Sequence, residues 1–543
     1  MGAKLKSKQI LGSALAGCVA LLVPLATAAA EDSGKQDGGK QDSPVQTIPP
    51  LPPSTAQWHA APDARRPAMP LRRFVAKRSG TFAGQSMKYT VVAEDTAIPD
   101  ALGTPKGSIF SFSYLKDMPA GSQRPVMFIF NGGPGSASIW LHMGVLGPRK
   151  AAFNDVNPSQ VPPFRTVENP DSVLTEADLV FIDPIGTGFS RYWGEGGPAD
   201  FYGTEQDAAS VVRFIEIWLR KHHRWNSPRF VLGESYGTTR AALLSRRLMG
   251  GVLDGSLKGI SLNGVILVGG DGGLSRPEGN AKFLTTFTTM AATAWYHGLV
   301  DKTGRDFDSF IGEADAFAQN DLVPALDGWD HLDAAERARL AKADASFTGL
   351  KTDYLLAKGL RVMPSDYATE VLKDKGENVG FYDSRYVLPA QNSLGDPVAD
   401  DGAMGQYTAS FVGAFNTYVR DDLGIDIDDD YVNIDFVNVN FPFQRPGTTP
   451  KGDPLPGEDS GADLAAAMRR NPDLRLMSIQ GWFDMFGAVG NAKYGIAQRH
   501  LPTDRVVQKS YWSGHMAYVG DAGIQMASDL KEFIRTASKG RQP

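Results

Sequence analysis

The chain has 543 residues, of which 42% are hydrophobic and 10% aromatic, enough for one large core with an inserted subdomain. Its formal net charge is -6 at pH 7, and removing residues 1–30, which carry three lysines and no acid, would make it more acidic. This balance argues against nucleic acid or another polyanion as a partner.

Residues 1–30 have the organisation of an export signal. Three lysines precede an apolar run at 10–25, and the alanines at 28, 29 and 30 form an A-x-A cleavage site. We therefore predict cleavage after Ala30 and an exported mature protein, either periplasmic or secreted. Lipidation of Cys18 is the alternative, because the sequence L-A-G-C ending there is similar to a bacterial lipobox. No later run is long and apolar enough to span a bilayer, so we predict no transmembrane segment in the mature chain.

Cys18 is the single cysteine of the sequence. A mature exported chain without cysteine has no disulfides, so its stability must come from the core. Residues 31–72 are polar and then proline-rich, a composition that buries too little apolar surface to fold. We predict a disordered or polyproline spacer there, and a globular domain that begins at residue 73.

The first part of the domain, residues 73–270, has the pattern of an α/β protein. Residues 87–92 and 108–112 alternate like antiparallel strands at the edge of a sheet. Three continuous apolar runs, at 125–130, 179–183 and 264–269, predict strands that are covered on both faces. Residues 205–222 carry apolar side chains at helical spacing, which predicts a helix packed on the sheet.

The first buried run ends in the corner Asn131-Gly132-Gly133-Pro134-Gly135. A glycine-rich corner at the carboxyl end of a buried strand exposes backbone N–H groups, as an oxyanion hole requires. A tight turn without catalytic function has the same sequence pattern. This motif alone leaves both interpretations open.

Residues 229–244 contain the most informative stretch. A short apolar run leads into Gly233-Glu234-Ser235-Tyr236-Gly237, and a helix is predicted from Thr238 to about Met249. Strand, G-x-S-x-G corner and helix in this order form the nucleophile elbow of the α/β-hydrolase fold. The turn holds the serine in a strained backbone conformation, and a Cβ at 233 or 237 would clash. A flexible glycine loop with an incidental serine is the alternative.

Residues 271–470 contain helical segments of uneven length, which predict an inserted, mostly helical cap that shapes substrate access. The acidic run 426–430 lacks the glycine of a calcium-binding loop, so we predict a solvated loop. We predict no metal and no cofactor. Sheet strands return at 474–480 and 505–511, and a helix at 524–536 closes the second part of the core, residues 471–543.

Chain order selects the partners of Ser235. In α/β-hydrolases the serine, the acid and the histidine follow one another along the chain. Of the histidines after Ser235, His515 alone lies in a loop past the last predicted strand, and Asp484 directly follows the strand before it. Asp484 would hold the imidazole tautomer and stabilise the imidazolium. The alternatives are a structural histidine and an aspartate that caps a turn.

Five motifs in this order resemble the serine carboxypeptidase family, over about residues 85–270 and 470–540. They are N-G-G-P-G-S from Asn131, D-P-I-G-T-G-F-S from Asp183, G-E-S-Y-G from Gly233, G-W-F-D from Gly481 and G-H-M from Gly514. The resemblance implies an α/β-hydrolase fold with a mostly parallel central sheet. It also implies that Ser235 is the nucleophile, His515 the general base and Asp484 the residue that orients it.

The resemblance further assigns substrate contacts. The N–H groups of Gly133 and Tyr236 would form the oxyanion hole, and Asn131, Gly132 and Glu234 would bind the terminal carboxylate of a peptide. A carboxyl beside the nucleophile, kept protonated by burial, can share a proton with a substrate carboxylate. We therefore expect a pH optimum below 7.

Three positions and one spacing depart from the family pattern. Ser136 replaces a cysteine, so the family's disulfide cannot form, and Ile129 replaces a tryptophan. Val145 stands where the family has a second glutamate that pairs with the first. Asp484 and His515 are also closer in sequence than in the family. These changes leave the hydrolase chemistry intact and affect the recognition of a carboxylate.

We predict an exported serine carboxypeptidase that releases C-terminal residues from peptides through an acyl-enzyme. An esterase or acyltransferase on the same scaffold is the alternative, favoured by Val145. A catalytically inactive binding protein that retains the fold is a third possibility. The sequence leaves the oligomeric state open.

Overall fold

The computed structural model describes residues 70–119, 121–444 and 459–540. The predicted signal peptide at 1–30 and residues 31–69 of the predicted spacer lie outside the described residues. Cys18 and the proposed cleavage site lie outside them too, so the predictions of export and of lipidation stay predictions.

Strands and helices are numbered in chain order. The strands are β1 Arg73–Phe82, β2 Gln85–Pro99, β3 Pro105–Lys116, β4 Val126–Phe130, β5 Arg149–Ala152, β6 Arg165–Glu168, β7 Asp178–Ile182, β8 Arg191–Tyr192, β9 Arg229–Glu234, β10 Gly250–Gly251, β11 Ser256–Leu257, β12 Gly264–Val268, β13 Glu377–Val379, β14 Val387–Pro389, β15 Arg475–Gly481 and β16 Val506–Tyr511. The helices are α1 Ile139–Leu141, α2 Pro198–Phe201, α3 Thr204–Lys221, α4 Tyr236–Arg247, α5 Ala281–Tyr296, α6 Phe307–Phe317, α7 Val323–Asp327, α8 Ala334–Thr348, α9 Thr352–Ala357, α10 Pro364–Glu370, α11 Met404–Thr417, α12 Ser460–Arg470, α13 Val489–Gln498 and α14 Ala522–Ser538. The described residues include no helix with both the length and the apolarity needed to cross a bilayer.

One large sheet organises the fold. Its strands lie in the order β1-β2-β3-β7-β4-β9-β12-β15-β16, with β8 paired to β3. The six strands β7, β4, β9, β12, β15 and β16 run parallel to one another, whereas β1, β2 and β3 form an antiparallel edge that joins β7. The predicted α/β-hydrolase fold with a mostly parallel central sheet is confirmed.

The sheet is covered on both faces, as the continuous apolar strands predict. In β4 the side chains alternate, so that Phe128 faces α3 and α4 while Ile129 faces the opposite core. The Phe128 ring packs edge-on against Trp218 of α3, with ring centroids 5.3 Å apart. On the other face lie α11, α14 and a π-helical turn at His142–Leu146.

Arg72, the last residue of the predicted spacer, is bonded to the antiparallel edge of the sheet. Arg72 lies within the predicted range 31–72, yet its guanidinium bonds the Asp95 carboxylate at 2.7 Å and the Asp429 carboxylate at 2.9 Å. It also donates to the carbonyl of Phe189. The ordered domain therefore includes Arg72, because two buried or half-buried acids need its charge.

The helical region predicted at 271–470 packs in three places. Helices α5 to α10 build a core of their own, in which Phe287, Phe310 and Leu340 are buried. In contrast, Phe411 of α11 packs against Trp140 beside the sheet, and α12 adds its apolar side chains to the core around α4. The boundaries 271 and 470 stay a prediction, but only the part up to about residue 380 packs as a separate layer.

Phe128→Ala should destabilise the domain by about 3–5 kcal/mol, because it removes a fully buried ring and leaves a cavity beside Trp218. Urea unfolding followed by circular dichroism measures the change. Phe441→Ala, at a site that is 71% exposed, is the matched control and should change the free energy of unfolding by less than about 0.5 kcal/mol. Equal effects of the two variants would contradict the packing described here.

Candidate active site

Ser235 occupies the corner between β9 and α4. Its backbone has φ 59° and ψ -128°, a conformation that L-residues avoid and that nucleophile elbows require. The close packing expected of the two glycines is present: a Cβ at Gly233 would lie 2.0 Å from the Gly237 carbonyl oxygen. A Cβ at Gly237 would lie 2.9 Å from the Phe130 carbonyl oxygen. The helix begins at Tyr236 rather than at the predicted Thr238, so it follows the serine directly.

The glycine corner after β4 lies against this elbow. Strands β4 and β9 are parallel neighbours with Phe130 opposite Gly233, which brings their carboxyl ends to the same height. A Cβ at Gly132 would lie 2.4 Å from the backbone nitrogen of Tyr236. Gly133 has φ +98°, in the region that favours glycine. Neither Gly133 nor Tyr236 uses its N–H to bond another described residue, so both remain able to donate to an oxyanion.

An arginine that the sequence analysis missed braces the corner. Arg240 of α4 is buried, and its guanidinium donates to the backbone carbonyl of Asn131 at 2.7 Å. The same side chain bonds the carboxylate of Asp207 on α3 at 2.7 Å. Asp207 balances the buried charge, so the pair connects two helices to the corner. The sequence does not distinguish Arg240 from the other arginines of the chain, so this contact could not be predicted from it.

Asp484 and His515 meet as the chain order predicts. Nδ1 of His515 lies 2.9 Å from Oδ2 of Asp484, and both side chains are buried. The other carboxylate oxygen accepts hydrogen bonds from the backbone N–H groups of Phe486 and Gly487. Burial disfavours the imidazolium, but attraction and hydrogen bonding to Asp484 outweigh it and raise the pKa of His515.

Ser235 and His515 both lie against the turn that follows β12. The Ser235 N–H donates to the Val268 carbonyl at 2.9 Å, and a Cβ at Gly269 would lie 3.1 Å from Nδ1 of His515. The Ser235 hydroxyl makes no hydrogen bond to any described residue. Catalytic hydrogen bonds are often long without substrate and tighten in the complex. The geometry thus joins the acid to the base and leaves the link from base to serine as a prediction.

A segment of the helical insertion holds both partners of the serine. The His515 N–H donates to the Tyr382 carbonyl at 2.6 Å. On either side of Asp484, the Phe483 carbonyl accepts from Ser384 and the Met485 N–H donates to Phe381. These contacts could not be predicted from the sequence, because hydrogen bonds between backbone groups of distant residues do not require particular side chains.

Glu234 precedes the serine and is buried, with 3% of its surface exposed. Burial raises its pKa to about 7, although His515 and hydrogen bonds from Tyr518 and Asn131 act in the opposite direction. The Tyr518 hydroxyl donates to Oε2 of Glu234 at 2.7 Å. A largely uncharged carboxyl therefore lies beside the nucleophile below pH 7, as the sequence analysis expects.

Of the other groups expected to bind a carboxylate, the Asn131 amide lies beside Glu234, whereas the second glutamate of the family is missing. The side-chain oxygen of Asn131 accepts from the Leu141 N–H at 3.2 Å, which orients the amide beside Glu234. Val145, at the position of the family's second glutamate, is a buried apolar residue of the turn at His142–Leu146. Tyr518 was missed, because it belongs to none of the motifs that the resemblance supplied.

Two of the four aspartates in the acidic run at 426–430 form ion pairs with arginines. Asp426 pairs with Arg420, and Asp429 pairs with Arg72. Across the part of the chain that the structure describes, no three or more histidine, cysteine or acidic side chains are grouped as metal ligands.

Comparison with known proteins finds a family to which part of this chain is similar. The model of the family "Serine carboxypeptidase" matches residues 104–334, which include the glycine corner and the elbow. The chain is a relative of the serine carboxypeptidases. The match ends before Asp484 and His515, so the roles of these two residues rest on the geometry above.

Two curated relatives are similar over part of their length. Serine carboxypeptidase-like 51 of Arabidopsis thaliana is 31% identical over 278 residues, which cover 50% of this chain and 53% of that protein. A probable serine carboxypeptidase of Dictyostelium discoideum is 25% identical over 35% of this chain and 34% of its own length. The chain thus spans about half or less of these relatives. Among solved structures, the Saccharomyces cerevisiae prohormone-processing carboxypeptidase Kex1(Δ)p aligns with a TM-score of 0.47 and 16% identity, over 83% of this chain and 91% of that one.

Glu234→Gln should raise the free energy of unfolding of this protein, and the increase should grow as the pH rises. An acid whose pKa is 4.5 unfolded and about 7 folded keeps its proton longer in the folded state, so stability falls between these pH values. Glutamine avoids this loss, which is about 3 kcal/mol once pH exceeds 7. Urea unfolding at pH 4.5 and pH 8 measures the difference between variant and wild type.

Asp344→Asn is the positive control for that experiment. Asp344 is buried in the helical insertion and its pKa is likewise raised by burial to about 7, so its amide variant should show the same trend away from the site. A difference that stays constant between the two pH values for Glu234→Gln alone would mean that folding does not raise the pKa of Glu234.

Proposed function

We propose that the protein is a serine carboxypeptidase, which releases C-terminal residues from peptides through an acyl-enzyme. One observation carries the proposal: the elbow presents Ser235 beside the buried Glu234, whose pKa is raised by burial to about 7, while the Asp484–His515 pair lies against the same turn. A histidine oriented by an aspartate can act as the general base of acyl transfer. An uncharged carboxyl can donate a hydrogen bond to a substrate carboxylate. The family match over residues 104–334 supports the same reading.

In the proposed reaction the Ser235 hydroxyl attacks the carbonyl carbon of the last peptide bond, and Nε2 of His515 takes the hydroxyl proton. Asp484 stabilises the imidazolium through Nδ1. The N–H groups of Gly133 and Tyr236 donate to the oxyanion of the tetrahedral intermediate. When the C–N bond breaks, the imidazolium gives its proton to the leaving amine. Water then repeats the sequence on the ester and frees Ser235.

The carboxylate of the leaving residue would bind beside the nucleophile. Glu234 in its protonated form can donate one hydrogen bond, and the Asn131 side chain lies next to it. An ionised Glu234 would repel the substrate carboxylate in a site that excludes water. Binding of a free C-terminus should therefore weaken as the pH exceeds the pKa of Glu234.

An esterase or acyltransferase is the second candidate, and Val145 favours it. A site with one glutamate instead of two offers fewer donors for a carboxylate, whereas the acyl-transfer groups are unaffected. The two functions share Ser235 and differ in whether the leaving group must carry a negative charge. Substrate pairs that differ only in this charge distinguish them.

Ser235→Ala should lower the turnover of any acyl substrate by about 10⁴-fold or more, because the covalent intermediate can no longer form. Steady-state assays with a chromogenic ester and a blocked dipeptide measure the loss. Ser245→Ala on the same helix is the matched control: its buried hydroxyl bonds only the Ala242 carbonyl, so activity should be retained.

An organophosphorus inhibitor supplies an independent readout of the same residue. It should label the wild type and Ser245→Ala stoichiometrically and leave Ser235→Ala unlabelled. A wild-type protein that stays unlabelled and inactive would favour the non-catalytic binding protein.

A blocked dipeptide should be cleaved faster than its C-terminal amide at pH 6, and the preference should disappear as the pH rises. Above pH 7, ionisation of Glu234 should reduce kcat/KM for the dipeptide with a free carboxylate by about tenfold per pH unit. The kcat/KM for the C-terminal amide should not show this alkaline decrease. Protonation of His515, whose pKa is raised, limits both substrates in acid. Equal rates for acid and amide at every pH would exclude the carboxypeptidase and leave the esterase.

A further inference from the structure

We propose that Tyr518 is a positioning residue of the carboxylate site, where its hydroxyl takes the place of the missing second carboxyl and orients Glu234 toward the substrate. The inference rests on the proposed function and names the group that completes it. Nothing in the sequence motifs assigns a role to this residue.

The contact is geometrically specific. The Tyr518 hydroxyl donates to Oε2 of Glu234 at 2.7 Å, and both side chains are buried. The ring is held from behind by Gly144, where a Cβ would lie 2.3 Å from a ring carbon. Only glycine at 144 leaves room for the ring in this place. Tyr518 also follows His515 by three residues, so the loop that carries the base carries the phenol.

Position 145 explains why such a group is needed. In the family that the chain resembles, a glutamate at this position pairs with the first glutamate, but Val145 is apolar and offers neither donor nor acceptor from its side chain. A buried carboxyl without a partner costs free energy and is free to change rotamer. Tyr518, which borders the same cavity as Gly144 and Val145, supplies the partner from a different segment.

A phenol constrains the proton of Glu234 in a way that a second carboxyl does not. Burial raises the pKa of Tyr518 well above 10, so the phenol keeps its proton over the whole working range. With the phenol donating to Oε2, the proton of the neutral carboxyl lies on Oε1, directed away from Tyr518. Oε1–H is then the group available to a substrate carboxylate, in a single orientation.

Other ionisable groups act on Glu234 from the elements packed around it. His515 lowers its pKa when protonated, and the ionised Asp484 raises it. Tyr407 of α11 faces it as a further buried phenol. Because these groups remain in a Tyr518 variant, the difference between variant and wild type isolates the hydroxyl.

Tyr518→Phe tests the role. The hydroxyl stabilises the ionised form of Glu234, so its loss should move the alkaline limb of kcat/KM for a blocked dipeptide to higher pH. At pH 6 the KM for that substrate should rise by about tenfold with kcat little changed, which corresponds to one lost hydrogen bond in a buried site. Hydrolysis of the C-terminal amide should be unchanged. Tyr518→Met, which also removes the hydroxyl, should behave alike if the phenylalanine variant folds poorly.

Tyr511→Phe is the matched control, because its hydroxyl also donates to a carboxylate at 2.7 Å, that of Asp529. It should leave the pH profile and the KM unchanged. Infrared difference spectra of the carboxyl band, with Glu234→Gln as the blank, follow the protonation of Glu234 without any substrate. The band should titrate at higher pH in Tyr518→Phe than in the wild type and in Tyr511→Phe.

The two readouts separate failure of this inference from failure of the proposed function. If the wild type prefers the acid substrate but Tyr518→Phe shifts neither the limb nor the infrared titration, the tyrosine only fills space and the inference is wrong. If the infrared titration shifts but the wild type hydrolyses acid and amide at equal rates, Tyr518 contacts Glu234 but the site does not recognise a substrate carboxylate. That result would overturn both the proposed role of Tyr518 and the proposed carboxypeptidase activity.

Discussion

The site depends on the contact between two backbones that only glycine allows. Parallel pairing of β4 with β9 brings the corner after Phe130 and the elbow after Glu234 to the same edge of the sheet. At Gly132 any side chain would meet the Tyr236 nitrogen and the Glu234 carbonyl. Because the segments touch, the N–H groups of Gly133 and Tyr236, which we propose for the oxyanion, belong to two backbones in direct contact. Arg240 then holds the corner by its Asn131 carbonyl. Removing this contact would separate the nucleophile from the charge stabilisation that makes it useful.

Two buried acids lie close to one histidine and are given different chemistry by their partners. Asp484 accepts two backbone N–H groups and the imidazole, a set of donors that favours a carboxylate. Glu234 accepts from the phenol of Tyr518 and from Asn131, and burial favours its neutral form. The charge of His515 acts on Glu234, so the protonation of these two residues is coupled. The difference in donor number explains how one edge of the sheet can hold both an orienting acid and a binding acid.

Local features could be predicted from the sequence, and contacts between distant segments could not. The elbow was predictable because strand, glycines and helix are adjacent in the chain, and even there the helix start was two residues late. Asp484 and His515 were found because topology orders them, and the structure brings them within a hydrogen bond. Tyr518, Arg240 and the segment at 381–384 were not found, because each acts through a partner that is remote in sequence or through its backbone. Helix α12 was grouped with the insertion for a similar reason: its amphipathic pattern reveals a buried face but not which core receives that face.

Among the described residues, the helical insertion hydrogen-bonds the backbone at His515 and on either side of Asp484, but not at Ser235. Its segment at 381–384 bonds the backbone at Phe483, Met485 and His515, and the Phe483 side chain belongs to the insertion's own core. A shortened descendant that lost this layer would keep an intact elbow while the aspartate and histidine lost their anchorage. The insertion and the Asp484–His515 pair are therefore structurally interdependent, so a change in this layer would also affect the position of the pair.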